Sequence, residues 1–321
     1  NSQYDNFEQS KTIKWAKQND LLTSPDIWLL SKLQKLIAEI TERNQTCKFH
    51  EGAKAIDDFI INNLSQVYIP ITRGELWDED EKKKNRRLAI YAVLNEVLKT
   101  LEILIHPFCP FSSEYLYQTV FDGKQSILLD KWPTFEESLV NEEIEESFDI
   151  MKDVVSISSA ARMKGKLKRR WPLNEAKICV KENQKSKLES LSTLLQSQLN
   201  VEKFEIVETL KESGLEQILE LKQLGLPAKA VVELERKKIG PKAKQHMGKL
   251  VAKFSETDPE EVVSSLQKDS KFDFDIDGEV ISLDNEDFVV DFDADENFAV
   301  SKRDNYVVFI STARNKEMMA K

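Results

Sequence analysis

The chain has 321 residues, 32% of them charged and 40% hydrophobic, and a formal net charge of −10; this length and balance predict two globular domains, each with enough apolar material for a core. The longest apolar runs fall far short of a bilayer span, and the opening segment has no basic start followed by an apolar core, so neither a membrane segment nor a signal peptide is expected. Cys47, Cys109 and Cys179 share no ligand spacing, the few glycines form no phosphate-cradling loop, and three histidines are few for acid–base chemistry, so binding in a reducing, cytoplasmic setting is expected over catalysis or a structural zinc.

Residues 1–20 lack periodicity and read as a tail. A helix is predicted from Ser24, with Ser24 as its cap, Pro25 at the first position, and Leu30, Leu33, Ile37 and Ile40 recurring at helical spacing. A second helix runs from about residue 49 to 67 on an apolar face of Ala53, Ile56, Ile60, Leu64 and Val67, and should stop before Pro70. A third starts near Lys84, carries Leu88, Tyr91, Leu94, Leu98, Leu101 and Ile105 as one stripe, and ends at Pro107. A short helix capped by Ser112, an extended piece at 127–133 and a long helix from about Asn141 to Arg162 complete an antiparallel bundle.

Past Pro172 the pattern changes. Residues 174–181 and 201–208 read as strands around a leucine-rich helix at 185–199, and 228–237 as an extended piece. A basic helix opened by Gly240-Pro241 and a short one begun by Asp258-Pro259 follow, and from Lys271 the alternation has period two, as in antiparallel strands. The predicted fold class is multi-domain: a tail at 1–20, an all-α antiparallel helical bundle at 21–171, and an α+β domain with an antiparallel sheet at 172–321.

The strongest charge feature is "ARMKGKLKRRWPL", where Arg162, Lys164, Lys166, Lys168, Arg169 and Arg170 lie in a stretch without an acid from Val154 to Asn174. A helix C-terminus favours a few cations in its last turn. Six without a carboxylate exceed what the dipole asks for, and RNA phosphates account for the surplus. Such side chains would set position on the RNA backbone rather than read bases. Trp171-Pro172 is read as the hinge that stops the helix.

Arg73 and Trp77, near a helix end, admit two readings. Exposed, they meet unpaired bases by hydrogen bonding and stacking; otherwise Trp77 is core and Arg73 bonds Asp78 or Glu79. The cations at 82–87 follow an acidic run and are read as charge-paired. A second basic cluster holds Arg236, Lys237, Lys238, Lys242, Lys244 and Lys249. Its Gly240-Pro241 is expected to form a turn offering amides to a phosphate, with Lys242 and Lys244 as auxiliary RNA contacts. The run Asp273–Asp284 spells most of an EF-hand loop, but its twelfth position is Asp and its flanks alternate. A β-hairpin turning at Asp277-Gly278 is predicted there, and no metal site.

Several segments, in order, resemble the class I aminoacyl-tRNA synthetases. "SPDIWLLSKLQKLIAEIT" resembles the D-x-W-x-L-S opening of their anticodon-binding bundle, and "FIINNLSQVYIPITRGELW" its patterned helix end. "HPFCPFSSEYLYQ" resembles their P-F-x-P-F-x-x-E-x-x-Y turn, and "SILLDKWP" the segment that closes on Trp-Pro. "ARMKGKLKRRWPL" with an α+β tail, "LNVEKFEIVE" and "IGPKAKQ" are similar to the isoleucyl-tRNA synthetases of the archaeal and eukaryotic type. The HIGH and KMSKS signatures and the cysteine cluster of bacterial-type tails do not occur in this sequence.

The resemblance implies the C-terminal portion of a larger ligase that joins isoleucine to tRNA(Ile) using ATP and Mg²⁺. This portion would carry no catalytic residue, cofactor or metal. Its implied partners are tRNA(Ile) and its own N-terminal catalytic domain, with no membrane and no DNA. The same region of a valyl- or leucyl-tRNA synthetase is an alternative, the valyl case disfavoured because a long coiled coil would follow the bundle. A protein-interaction module of a synthetase complex is another.

Overall fold

Two units emerge from the chain, one ending at Asp149 and one beginning at Ile150, in a computed structural model that describes residues 5, 7, 8, 10–121, 125–209, 214–303 and 306–313. The first holds α1 (Ile13–Gln18), α2 (Ser24–Gln45), α3 (Phe49–Asp58), a π-helical stretch (Phe59–Tyr68), α4 (Ile69–Leu76), α5 (Lys84–Ile105), α6 (Pro110–Val120) and the start of α7 (Glu142–Lys164). Its core joins Trp28, Leu33 and Ile40 of α2 to Ile56, Phe59 and Tyr68, to Ile90, Val93 and Val97 of α5, and to Phe148. Trp28 stacks on Phe148 with ring centroids 4.8 Å apart and planes 9° from parallel, so the tryptophan of the D-x-W segment is a core anchor.

Local chemistry explains where the elements depart from expectation. The segment read as a tail holds structure: α1 is capped by Thr12, and Asp5 is buried. Thr23 rather than Ser24 caps α2. Its backbone is extended while Ser24 is already helical, and Asp26 accepts from both the Thr23 amide at 2.7 Å and its hydroxyl at 2.9 Å.

The helix expected to stop before Pro70 runs on. Between Phe59 and Tyr68 it widens into π turns, and the Ile69 amide reaches back five residues to the Leu64 carbonyl. Pro70 then stands within the first two positions of α4, where its missing N–H removes no bond of that segment. The widening moves the buried face to Phe59, Leu64, Tyr68 and Thr72, and leaves Ile60 and Val67 half-buried. In α5 the single stripe also fails. That helix packs against α2, α3, α4 and α6 and is buried without a break from Arg87 to Val93, while Leu98 is exposed.

The second unit contains the rest of α7, β1 (Leu173–Val180), α8 (Lys185–Glu189), α9 (Ser192–Leu199), β2 (Val201–Glu208), α10 (Gly214–Gln223), β3 (Ala228–Leu234), α11 (Arg236–Ala243), α12 (Met247–Glu256), α13 (Pro259–Asp269), β4 (Lys271–Ile276), β5 (Glu279–Asp284), β6 (Phe288–Ala294), β7 (Phe298–Arg303) and β8 (Tyr306–Ser311). One sheet has the order β2-β1-β8-β7; β3 pairs with β6, and β4 with β5. The pairing of β1 with β2 is parallel and all others are antiparallel. The parallel pair follows from α8 and α9, which carry the chain back between its strands. Asp277 and Gly278 have φ of +56° and +85°, the backbone of a two-residue hairpin turn, so the acidic run is the β4–β5 hairpin. The chain is therefore a helical bundle followed by an α+β unit.

Candidate nucleic-acid interface

The basic stretch forms the end of α7 and the loop into β1. The Leu167 amide bonds the Arg162 carbonyl at 2.8 Å and the Lys166 amide the Met163 carbonyl at 3.1 Å. This double closure puts Lys166 in the left-handed region at φ +55°. Glycine usually takes that position, but here the glycine comes one residue earlier. A Cβ on Gly165 would stand 3.0 Å from the Ala299 Cβ of β7, so close approach keeps the glycine where it is.

Arg162, expected to meet phosphate, points inward and is 3% exposed. Its Nη1 donates to the carbonyls of Lys168 at 3.2 Å and Trp171 at 2.9 Å. Its Nη2 donates to those of Leu199 at 2.8 Å and Asn200 at 3.1 Å. Burial, then the charge of Arg169, pull its pKa below the usual arginine value. Arg162 thus organises the loop from within. Lys164, Lys166, Lys168, Arg169 and Arg170 are all exposed, and among the described residues none of the five meets a carboxylate. Trp171 is half-buried, with Lys168 Nζ 5.4 Å from its ring centroid.

The second basic cluster is different in kind. Gly240 and Pro241 lie inside α11 rather than in a turn, so they offer no amide cradle. Lys242 bonds Asp284 at 2.8 Å and also Asp287, and these bonds raise its pKa. Lys249 pairs with Asp277, and Lys238 with Glu286 at 3.2 Å. Lys238, Lys242 and Lys249 are matched by the acids of β5 and its flanking turns, which leaves Lys242 little charge for RNA. Lys244 belongs to a short 3₁₀ turn, and its side chain lies outside the described residues.

At the end of α4, Trp77 is 72% exposed and Arg73, one helical turn earlier, is also exposed. Asp78 pairs instead with Lys83, whose hydrogen bond lowers its pKa, and Arg73 has no carboxylate among the described residues. Of the two readings, the exposed one has the geometry. A buried network braces this end of the bundle. Asp26 accepts from the Tyr68 hydroxyl at 2.7 Å and from Arg86 at 2.6 Å, and Arg86 bonds Glu75 at 2.6 Å. Burial and the neighbouring Asp26 push the Tyr68 hydroxyl well above its ordinary pKa. Arg87, 2% exposed, makes a two-pronged pair with Asp5, both bonds 2.8 Å. Arg86 and Arg87 are thus charge-paired, but with Asp26, Glu75 and Asp5 rather than with the acidic run before them, whose Asp78 pairs with Lys83.

One feature of the surface went unread in the sequence. Phe111 is 90% and Tyr115 68% exposed, one turn apart on α6. An aromatic pair at i, i+4 that lies on a different face of α6 from the buried Ser113 and Tyr117 is the signal that finds it.

Among the described residues no three His, Cys, Asp or Glu side chains converge as a metal requires, and no helix is long and apolar enough to cross a membrane. The acids of the β4–β5 hairpin are bonded to Ser282 and Lys249. These bonded acids therefore do not form a metal-ligand set.

Residues 26–178, from α2 through the basic loop into β1, match the family described as the anticodon-binding domain of tRNA ligases. The chain is also similar to archaeal isoleucine–tRNA ligases. It is 34% identical to that of Sulfolobus acidocaldarius over 61% of its own length and 19% of the relative. With that of Methanothermobacter marburgensis the values are 28%, 92% and 27%, and with that of Methanocella arvoryzae 27%, 98% and 28%. The chain thus spans at most 28% of the length of these relatives.

Proposed function

We propose that this chain is the tRNA-recognition part of an isoleucine–tRNA ligase, the enzyme that attaches isoleucine to tRNA(Ile) with ATP and Mg²⁺ in the cytoplasm. Activation and transfer would belong to a catalytic domain outside this chain. This chain would hold the tRNA so that its acceptor end reaches that domain. The observation that carries the reading is the anticodon-binding match, which includes a loop of five exposed cations without a carboxylate. Those cations would neutralise phosphates. Trp77, and Phe111 with Tyr115, supply exposed rings on which unpaired anticodon-loop bases stack. The net charge of −10 does not oppose this, because a ligand meets the local field of a patch.

The experiment is a binding titration of the 321-residue chain with tRNA(Ile), tRNA(Val) and tRNA(Leu) over a series of salt concentrations. Binding that falls steeply with salt and prefers tRNA(Ile) supports the reading. Preference for tRNA(Val) or tRNA(Leu) replaces the amino-acid identity, and no binding at low salt refutes tRNA recognition.

A further inference from the structure

The loop between α7 and β1 turns its carbonyls inward. The Lys168 carbonyl accepts from the Trp171 amide at 3.0 Å and from Arg162 at 3.2 Å, closing a four-residue turn with Arg169 and Arg170 at its centre. The Arg169 carbonyl accepts from the Asn200 carboxamide at 3.3 Å, and the Trp171 carbonyl from Arg162 at 2.9 Å. Asn200 stands after α9 in left-handed backbone at φ +52°, and its own carbonyl is another of the acceptors of Arg162. One buried guanidinium and one carboxamide therefore pin three carbonyls of the turn to the body of the unit.

A trans peptide sets its N–H opposite its C=O, and no cis bond occurs among the described residues. With the carbonyls of Lys168 and Arg169 held inward, the amides of Arg169 and Arg170 face outward. Neither donates a hydrogen bond among the described residues. Successive outward amides in a turn make a concave seat for an anion, and Lys168, Arg169 and Arg170, all exposed, belong to this one.

We propose that the Lys168–Trp171 turn is an oxyanion seat in which the backbone amides of Arg169 and Arg170 donate to non-bridging oxygens of one RNA phosphate, with Arg162 and Asn200 as positioning residues. The seat rests on the tRNA reading above and deepens it. Side chains and backbone then have separate tasks. The cations supply attraction that salt weakens; the amides, which carry no net charge, fix where the phosphate sits without adding to the salt slope.

That separation defines the test: binding of a tRNA(Ile) transcript to the full chain by fluorescence anisotropy over a salt series, for the unaltered protein, Arg169→Ala and Arg169→Pro. Proline suits the second position of such a turn, so it removes charge and amide together where alanine removes the charge alone. Arg169→Ala should weaken binding and reduce the log–log salt slope by about 0.7–0.9. Arg169→Pro should show the same reduced slope and bind about three- to tenfold more weakly than the alanine variant. Asn200→Gly keeps the left-handed backbone and loses only the carboxamide; it should weaken binding at an unaltered slope, and it decides the matter if the proline variant does not fold. Equal affinities of folded proline and alanine variants overturn the seat while leaving the tRNA reading intact. With an unfolded proline variant, undiminished affinity of Asn200→Gly does the same. Failure of the unaltered chain to bind at low salt overturns the tRNA reading instead.

Discussion

At Lys166 two demands act on one residue. The left-handed backbone at φ +55° disfavours any side chain, yet the exposed amine sits among unpaired cations. Lys166→Gly should therefore stabilise the protein by about 1 kcal/mol and at the same time weaken tRNA binding, with the salt slope reduced by about 0.7–0.9. Thermal melts and a salt titration of the same preparation check both signs; a variant that is stabilised and binds undiminished shows that Lys166 meets no phosphate. Trp77 makes a complementary case. Because it is 72% exposed, Trp77→Ala should change stability by no more than about 0.5 kcal/mol. Loss of a stacked base would cost about 1–3 kcal/mol of tRNA affinity. A large stability loss without an affinity loss would return Trp77 to a structural role.

Between elements, the decisive links are long-range and polar. Asp26 ties the start of α2 to Tyr68 before α4 and to Arg86 of α5. Asp26→Ala leaves Arg86 with Glu75 as its one carboxylate among the described residues and the Tyr68 hydroxyl without its acceptor, and should cost about 3–5 kcal/mol, seen as a lower urea midpoint at constant m. Asp5 gives a pH signature. The hydrogen bond from Arg87, opposed by burial, holds its carboxyl below the ordinary value near 3.8. The unfolded chain therefore takes up this proton first as pH falls. The stabilisation is complete above about pH 4 and is lost as the pH drops through the folded value. Asp5→Asn should melt lower at neutral pH and show a flatter acid limb in Tm against pH. These links also mark what sequence reasoning reaches. The hairpin at Asp277-Gly278 and the Asp258 cap of α13 are legible because each is settled within a few neighbouring residues. The basic loop is legible because absence of acid is itself a local pattern. The inward turn of Arg162 is not, since two of its acceptors, Leu199 and Asn200, lie more than thirty residues on. Nor is the neutralisation of Lys242 by Asp284 and Asp287, or the π stretch, where periodicity carried on from Ile56 names Ile60 in place of Phe59.

For the whole molecule, the division of the chain sets what can stand alone. The sequence places the start of the α+β domain at Pro172, where α7 has already ended, whereas the second unit begins at Ile150, within α7. Residues 150–164 bring Met151, Val154, Ile157 and Ala161, all buried, together with Arg162. A fragment starting at 172 lacks these apolar side chains. It also leaves the carbonyls of Leu199 and Asn200 without their guanidinium donor and Ala299 without its close neighbour Gly165. Buried carbonyls left without a donor cost about 1–3 kcal/mol each, and each kcal/mol lowers Tm by about 2–4 °C in a unit of this size. Residues 150–321 should therefore unfold in one cooperative transition at a Tm at least about 5 °C above that of residues 172–321, as read by calorimetry. Coincident melts would show that the second half of α7 contributes nothing to the α+β unit, and would free the basic loop from the support that Arg162 gives it.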